Sequence, residues 1–507
     1  MALCLLYVPC THADTPEESR ANESLITLWP LLDYRENSLE NTSKLSILGP
    51  ILTFESTEDD KIAAFRPLFH TEADTARTRN SSYYLYPLAS SEFTPDVSKI
   101  QLLQLLQKNT FRKSEPTEIE KQSMLFPFYI SGESEEHGSY TSIFPIYGDI
   151  YGRFWRDEYH YLLFPLYGRT VNRGTTNYHL LWPFFSVTTG ENESGYGFWP
   201  LYGQSAKEGV YSKHFLLWPF FMKETRYISE SSVEDGSNIS LRNQSTSETD
   251  ADSVAQRIVI FPLYASYDSP NSKSRTWLWP FFGYSSDTLN EEVERDYLWP
   301  FWLTVSGKKR NVTRFLPFYS DEQKEDSSRT WYMWPIYRND TMQSPHFRQE
   351  RDRILFFLFN NKVESWAQDG KERHRMALWP LFLYNKDTEG ERTLTFPALI
   401  EPVLDKDGIE KLWAPLWRVY SHHWNQQGDS SLSIFWNLYW HERDDDYLGW
   451  ELFPFFRYRS DALFNEVQIF KGLVNYKQSC KLSSLSLFWI PLSFDWQSSS
   501  LRCESDN

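Results

Sequence analysis

Residues Tyr178–Thr188 read YHLLWPFFSVT, and the polar run Gly190–Ser194 follows them. Aromatic and β-branched side chains of this kind suit a pleated, half-buried strand. A helix is excluded because the proline lacks the N–H and clashes with the preceding turn. Outward from this stretch, the same wording returns about every 19 residues, from Leu28 to Leu492, as LWPFF, FPLYG or LWPLY. A fixed short period marks one structural unit copied many times. The pairs that define the register are Trp182-Pro183, Trp199-Pro200, Trp218-Pro219, Trp279-Pro280, Trp299-Pro300, Trp334-Pro335 and Trp379-Pro380. Leu102–Leu106, Leu355–Phe359 and Phe435–Tyr439 keep the pattern without its proline, and Ile469-Phe470-Lys471 is a poorer match. With these, the chain holds about 24 units.

About a dozen strand residues and a short polar turn per unit is hairpin spacing, too short for a helical crossover. The expected fold class is therefore all-β, a long antiparallel meander of about 24 repeat-built strands. Proline cannot donate to a ladder and resists a central strand. The conflict resolves if each proline lies at a bulge or bend, drawing a line of kinks across the sheet.

Read as one strand, Tyr178–Val187 places Tyr178, Leu180, Trp182, Phe184 and Ser186 on one face. The other face takes His179, Leu181, Pro183, Phe185 and Val187, so both faces are apolar at the centre. The uncharged windows His214–Met222, Ile258–Tyr267, Thr276–Ser286 and Met376–Asn385 have about the length of a tilted membrane strand. They predict a sheet closed as a large outer-membrane barrel. Against this stand the apolar second face, the short windows Phe315–Ser320 and Leu412–Trp417, and the polar ending Leu501–Asn507. The alternatives are a layered soluble sheet, a six-bladed propeller or a solenoid.

Within 507 residues of net charge −17, nothing favours nucleic acid or anionic lipid as a partner. No apolar run reaches the length of a spanning helix. Residues 1–13 read as the end of a signal peptide, with Ala2–Pro9 apolar and small residues in Thr11-His12-Ala13; the alternative is an apolar first strand. Pro9 disfavours a lipoprotein site at Cys10. The repeat region then divides into 14–222 and 258–494 around a Ser/Thr/Asp-rich segment, 223–257, expected to be disordered, and a tail at 495–507. Cys4 and Cys10 would leave with the signal, and Cys480 and Cys503 are the candidate disulfide of an oxidising compartment.

Phe144–Glu224, with its serial FPIYG, FPLYG, LWPFF and FWPLYG copies, resembles a group of exported repeat proteins of deltaproteobacteria. The likeness extends to Leu28–Arg35, Leu48–Pro50 and Arg66–Phe69. It implies a Gram-negative, extracytoplasmic setting, in the outer membrane or periplasm, and carries over no activity and no catalytic residue.

Candidate chemistry is sparse. His422-His423, with His441-Glu442 and Asp444-Asp445-Asp446 one strand later, has the donor types of a divalent-metal site. Adjacent histidines on a strand point to opposite faces, and solvated loop ends are the favoured reading. Asp405–Gly408 reads as a hairpin turn rather than a calcium loop. No GxSxG elbow occurs, and the Gly148–Gly152 and Gly195–Gly197 stretches are not followed by helices. Arg153, Arg156, Asp157 and Glu158 read as a charged hairpin end. Rows of Trp and Tyr suit core or membrane girdle before sugar stacking. The expectation is a non-enzymatic envelope protein without metal or cofactor. A barrel passing apolar or amphipathic cargo is the first reading, and a β scaffold binding a protein or glycan partner the second. A glycan hydrolase is the least supported.

Overall fold

The computed structural model describes residues 24–497 except 38–40, 75, 77, 104, 113–118, 135–136, 228–253, 405, 445–446, 480–481 and 490–492. The signal-peptide reading, the candidate pair Cys480 and Cys503, and the tail beyond 497 lie outside these residues. The fold is all-β, with 46 short strands among the described residues, paired antiparallel in chain order. Among the described residues only Asp407–Leu412 and Ala414–Trp417 are helical. The turn expected at Asp405–Gly408 is corrected in part, since Asp407 and Gly408 open the first helix and Asp405 lies outside the described residues.

Most repeats make two strands, not one, which corrects the count of about 24, and the copy Leu412–Trp417 falls in the two short helices instead. Thr175–Leu180 and Phe185–Thr189 pair from Leu180↔Phe185 to Thr176↔Thr189, and Leu181-Trp182-Pro183-Phe184 joins them. The Trp182–Pro183 peptide is cis, and the Phe184 N–H donates to the Leu181 carbonyl at 2.8 Å. Cis-proline in third place with this bond is a type VI turn. Proline thus stays out of the ladder, where its missing N–H would cost a bond. Leu181 and Trp182 also donate to the Leu166 and Pro165 carbonyls of the preceding turn, both at 2.7 Å. The aromatic turns are therefore bonded to one another along one edge of the sheet. Copies without proline hold the same place: Phe435, Trp436 and Asn437 turn the chain with positive φ.

Polar turns occupy the opposite edge. Asn172 pairs with Thr175 across Arg173 and Gly174, whose φ values of 48° and 78° make the mirror-image turn that matches strand twist. Arg153 and Arg156 flank Phe154-Trp155 in the same way, so the hairpin end is present, while Glu158 pairs with His160 and Arg169 rather than with the turn arginines expected to salt-bridge it.

Reversal at Trp182-Pro183 also corrects the two-face assignment. Phe185 and Val187 share the face of Leu180 and Tyr178, while Ser186 shares that of His179. One face therefore carries the row Leu162, Tyr167, Leu180, Phe185, Phe198 and Tyr202 beside the aromatic turns. The other carries glycine and hydroxyl residues under larger neighbours. A Cβ on Gly203 would lie 2.1 Å from the Phe215 ring, and one on Gly148 2.3 Å from that of Tyr161. These rings lie flat over the glycines, and Tyr161 bonds Ser142 at 2.5 Å.

Contacts divide the chain into two units: Met1–Arg77 with Gly390–Pro397 and Lys411–Asn507, and Thr78–Glu389 with Ala398–Glu410. In the second unit the ladder runs unbroken from Asn80–Tyr84 to Phe382–Lys386, where propeller blades would interrupt it. The segment expected to be disordered is strand at both ends, since Phe221–Tyr227 pairs with Val254–Ile260; residues 228–253 lie outside the described residues. In the first unit, early strands face late ones. Trp29 Nε1 donates to the Phe435 carbonyl at 2.7 Å, and Arg457 Nη1 to that of Leu25 at 3.1 Å. The contact is made by side chains, not by a ladder. Ser24–Leu28 bonds Leu32–Asn37, and Ser493–Gln497 bonds Leu482–Leu487, with no pairing between the first and last strands among the described residues.

Candidate functional site: the aromatic edge and the recess beside it

The turn geometry sends large apolar side chains outward at the cis-proline turns. Leu181, Trp182 and Phe184 are 43%, 51% and 45% exposed, and the neighbouring Leu180 is 56% exposed. The residues before the prolines meet as tilted pairs from turn to turn: Phe164 with Trp182 at 5.7 Å, Trp199 with Trp218 at 5.8 Å, Phe261 with Trp279 at 5.6 Å. The strand-end row is also in contact, with Phe185 stacked on Phe198 at 5.0 Å and Tyr297 on Trp302 at 5.1 Å. Edge-on and offset pairs of this kind hold aromatic rings in place without burying them. The repeat-defining pairs are brought together here, since Trp182-Pro183, Trp199-Pro200, Trp218-Pro219, Trp279-Pro280, Trp299-Pro300, Trp334-Pro335 and Trp379-Pro380 are all cis turns of the second unit.

Beside this edge the glycine-bearing face opens into a recess of about 430 Å³. Trp199 and Trp218 wall its turn end, Phe215, Met222 and Val259 line its middle, and Lys213, Glu224 and Arg257 its far end. Glu224 lies 2.6 Å from Arg226 Nε and 3.3 Å from Lys213 Nζ. Burial alone would push the Glu224 carboxyl up, yet Arg226 and Lys213 hold it below the usual carboxylate range. The recess is thus apolar at one end and charged at the other, the lining that suits an amphipathic molecule.

Other candidates are dispersed. Strand Ser430–Ile434 intervenes between the two histidine strands, which corrects their expected adjacency. His422 and His441 share one face across Leu432, and His423 and Glu442 the other across Ser431. Burial, then the His441 charge, lowers the His422 pKa. Among the described residues no group of three or more His, Cys, Asp or Glu side chains is placed to hold a metal ion. The recess was not visible in the sequence, because Lys213 and Glu224 align only once the turn at Trp218-Pro219 is recognised, and Arg257 only through the pairing of Phe221–Tyr227 with Val254–Ile260. No family model matches the chain, and no curated protein matches it.

Proposed function

We propose that the chain is a non-enzymatic protein of a Gram-negative cell envelope that rests its aromatic edge in a lipid layer and holds amphipathic molecules on its glycine-bearing face. The observation that carries this is the unbroken exposed row of Leu, Trp, Phe and Tyr along one edge, opposite an edge of polar turns. Contiguous apolar surface beyond a few hundred Å² marks a membrane or partner site, and Trp and Tyr favour the membrane–water interface. The extracytoplasmic setting rests on the resemblance to exported repeat proteins.

Depth decides between lying on the layer and crossing it. A spanning strand needs roughly 9–11 residues, whereas strands here have between 5 and 8. Only the turn and the strand end beside it are continuously apolar, a band of about 10 Å at 3.3 Å per residue. That matches an interfacial seat. The spanning barrel loses its main support, because each uncharged window is two strand ends and a turn.

Purified chain would be mixed with phosphatidylcholine vesicles carrying bromine at defined depths. The expected result is co-sedimentation, with tryptophan quenching strongest for bromine near the headgroups. Strongest quenching by bromine at the bilayer centre would restore the spanning barrel. Absence from the vesicle pellet would overturn the lipid seat and leave a protein or glycan partner as the occupant of the edge.

A further inference from the structure

The first unit contains a second cavity, of about 470 Å³, between its early strands and Tyr420–Trp424 with Ser430–Ile434. Its lining is the reverse of the protein's bulk charge. Arg35, Lys44, Arg66 and Arg418 face it, against Asp33 and Glu55, in a chain of net charge −17. The register explains the clustering: Arg35, Lys44 and Glu55 fall in one row across three strands, and Asp33, Ser46 and Thr53 in the next.

One guanidinium at the cavity is incompletely satisfied, and a second is bonded to neutral acceptors. Arg66 donates to the Lys411 carbonyl at 2.7 Å, the Pro50 carbonyl at 2.9 Å and Thr53 Oγ1 at 2.8 Å, all neutral acceptors. Arg35 lies over the Trp440 ring at 4.5 Å, and its carboxylate neighbours Asp33 and Glu442 stand at 3.6 and 3.7 Å. Its Nε and Nη2 are buried and make no hydrogen bond among the described residues. Buried donors without acceptors are costly, and charged ones more so. Arg66 also helps to hold His70 neutral, behind burial as the larger cause.

We infer that this cavity is a binding site for a small phosphate monoester. Arg35, Lys44, Arg66 and Arg418 outnumber the lining carboxylates Asp33 and Glu55, and with Glu442 beside Arg35 counted the balance is still positive, His70 being neutral. A phosphate monoester near neutral pH carries close to two negative charges and three acceptor oxygens. Guanidinium groups meet such oxygens in pairs. Trp29, Pro30 and Pro50 give the organic part of the ligand an apolar wall. This site is separate from the aromatic edge and does not depend on the lipid reading.

Calorimetric titration of the full chain at low salt would use glycerol 3-phosphate, glycerate and glycerol as probes. Glycerol 3-phosphate should bind at least tenfold more tightly than glycerate, and glycerol should not bind. Arg66→Gln and Arg35→Gln should each weaken the phosphate probe at least tenfold. Lys44→Gln alters a half-exposed side chain, so it leaves the fold intact and should weaken binding about threefold. Equal affinity for glycerate and glycerol 3-phosphate would overturn the phosphate assignment. No binding by any probe, or unchanged binding in Lys44→Gln, would overturn the site.

Discussion

Burial, reinforced by Arg66 and Lys411, lowers the pKa of His70 from 6.5 to about 4. The unfolded chain therefore takes up this proton first as the pH falls. His70 stabilises the fold fully above pH 6.5, and up to about 3 kcal/mol is lost as the pH drops toward 4. Thermal unfolding from pH 7 to 4 should show this loss in the wild type and a shallower one in His70→Asn; identical slopes would refute it. Gly203 makes a steric test. Its added Cβ would sit 2.1 Å from the Phe215 ring, so Gly203→Ala should destabilise by about 1–3 kcal/mol. Phe215→Leu in the same chain should restore part of that, a coupling that a double-mutant cycle reads directly. Neither residue was legible as special beforehand. The period marked Gly203 only as the glycine that ends one FWPLYG copy, and only the cross-strand register puts Phe215 over it.

Elements were legible in kind and wrong in number. The antiparallel meander follows from the spacing, but Leu181-Trp182-Pro183-Phe184 carries proline as its one turn residue among large apolar side chains, with no Gly, Asn or Asp beside it. Its side chains are those of a strand. True strands such as Ser327–Tyr332, by contrast, are largely polar because one end lies toward the polar edge. Composition thus inverted strand and turn within each unit. The aromatic edge was legible as residues and illegible as a place. The three longest strands, Tyr337–Ser344, Phe347–Ile354 and Phe359–Trp366, show what binds the polar part. Asp340 accepts from Arg329 at 2.9 Å, Arg338 at 2.7 Å and Arg353 at 2.6 Å. Burial pushes its carboxyl up, but the three guanidinium groups hold it below the usual range. Asp340→Asn should cost about 1.5–3 kcal/mol in denaturant unfolding. Glu350→Gln, on an exposed pair, should stay within about 0.5 kcal/mol. Equal effects would show that the cluster contributes no more than a surface pair.

For the whole molecule, charge and apolar surface make separable predictions. A chain of net charge −17 gains nothing from anionic headgroups. Association with neutral vesicles should therefore survive high salt, and adding phosphatidylserine should weaken it. Salt-sensitive binding to phosphatidylserine vesicles would contradict an edge held by apolar burial. The first unit adds a mechanical test. Arg457, buried with Glu451 at 2.7 Å, also covers the open edge of Ser24–Leu28 through the Leu25 carbonyl. Arg457→Ala should raise hydrogen exchange in Ser24–Leu28 while Asn80–Phe93 stays protected. Uniform loss across both segments would mean the strand edge is not a separate opening unit.

Neighbour-only bonding of the aromatic turns makes the second unit a ruler. Each hairpin is bonded to the one before and the one after, so most of its stability sums over local joints, while the unit's first turn also packs on its last segment through Tyr86 and Gly408. Tyr167 and Phe185 hold equivalent positions after their turns. Excising Tyr167–Phe184 would join Leu166 to Phe185 and leave an intact turn and strand on either side of the splice. The sheet would shorten by two strands, about 10 Å, and keep its register. Length is thus a quantity that can change in whole steps of one hairpin, lengthening or trimming the exposed aromatic edge wherever the packing of Tyr86 on Gly408 is kept.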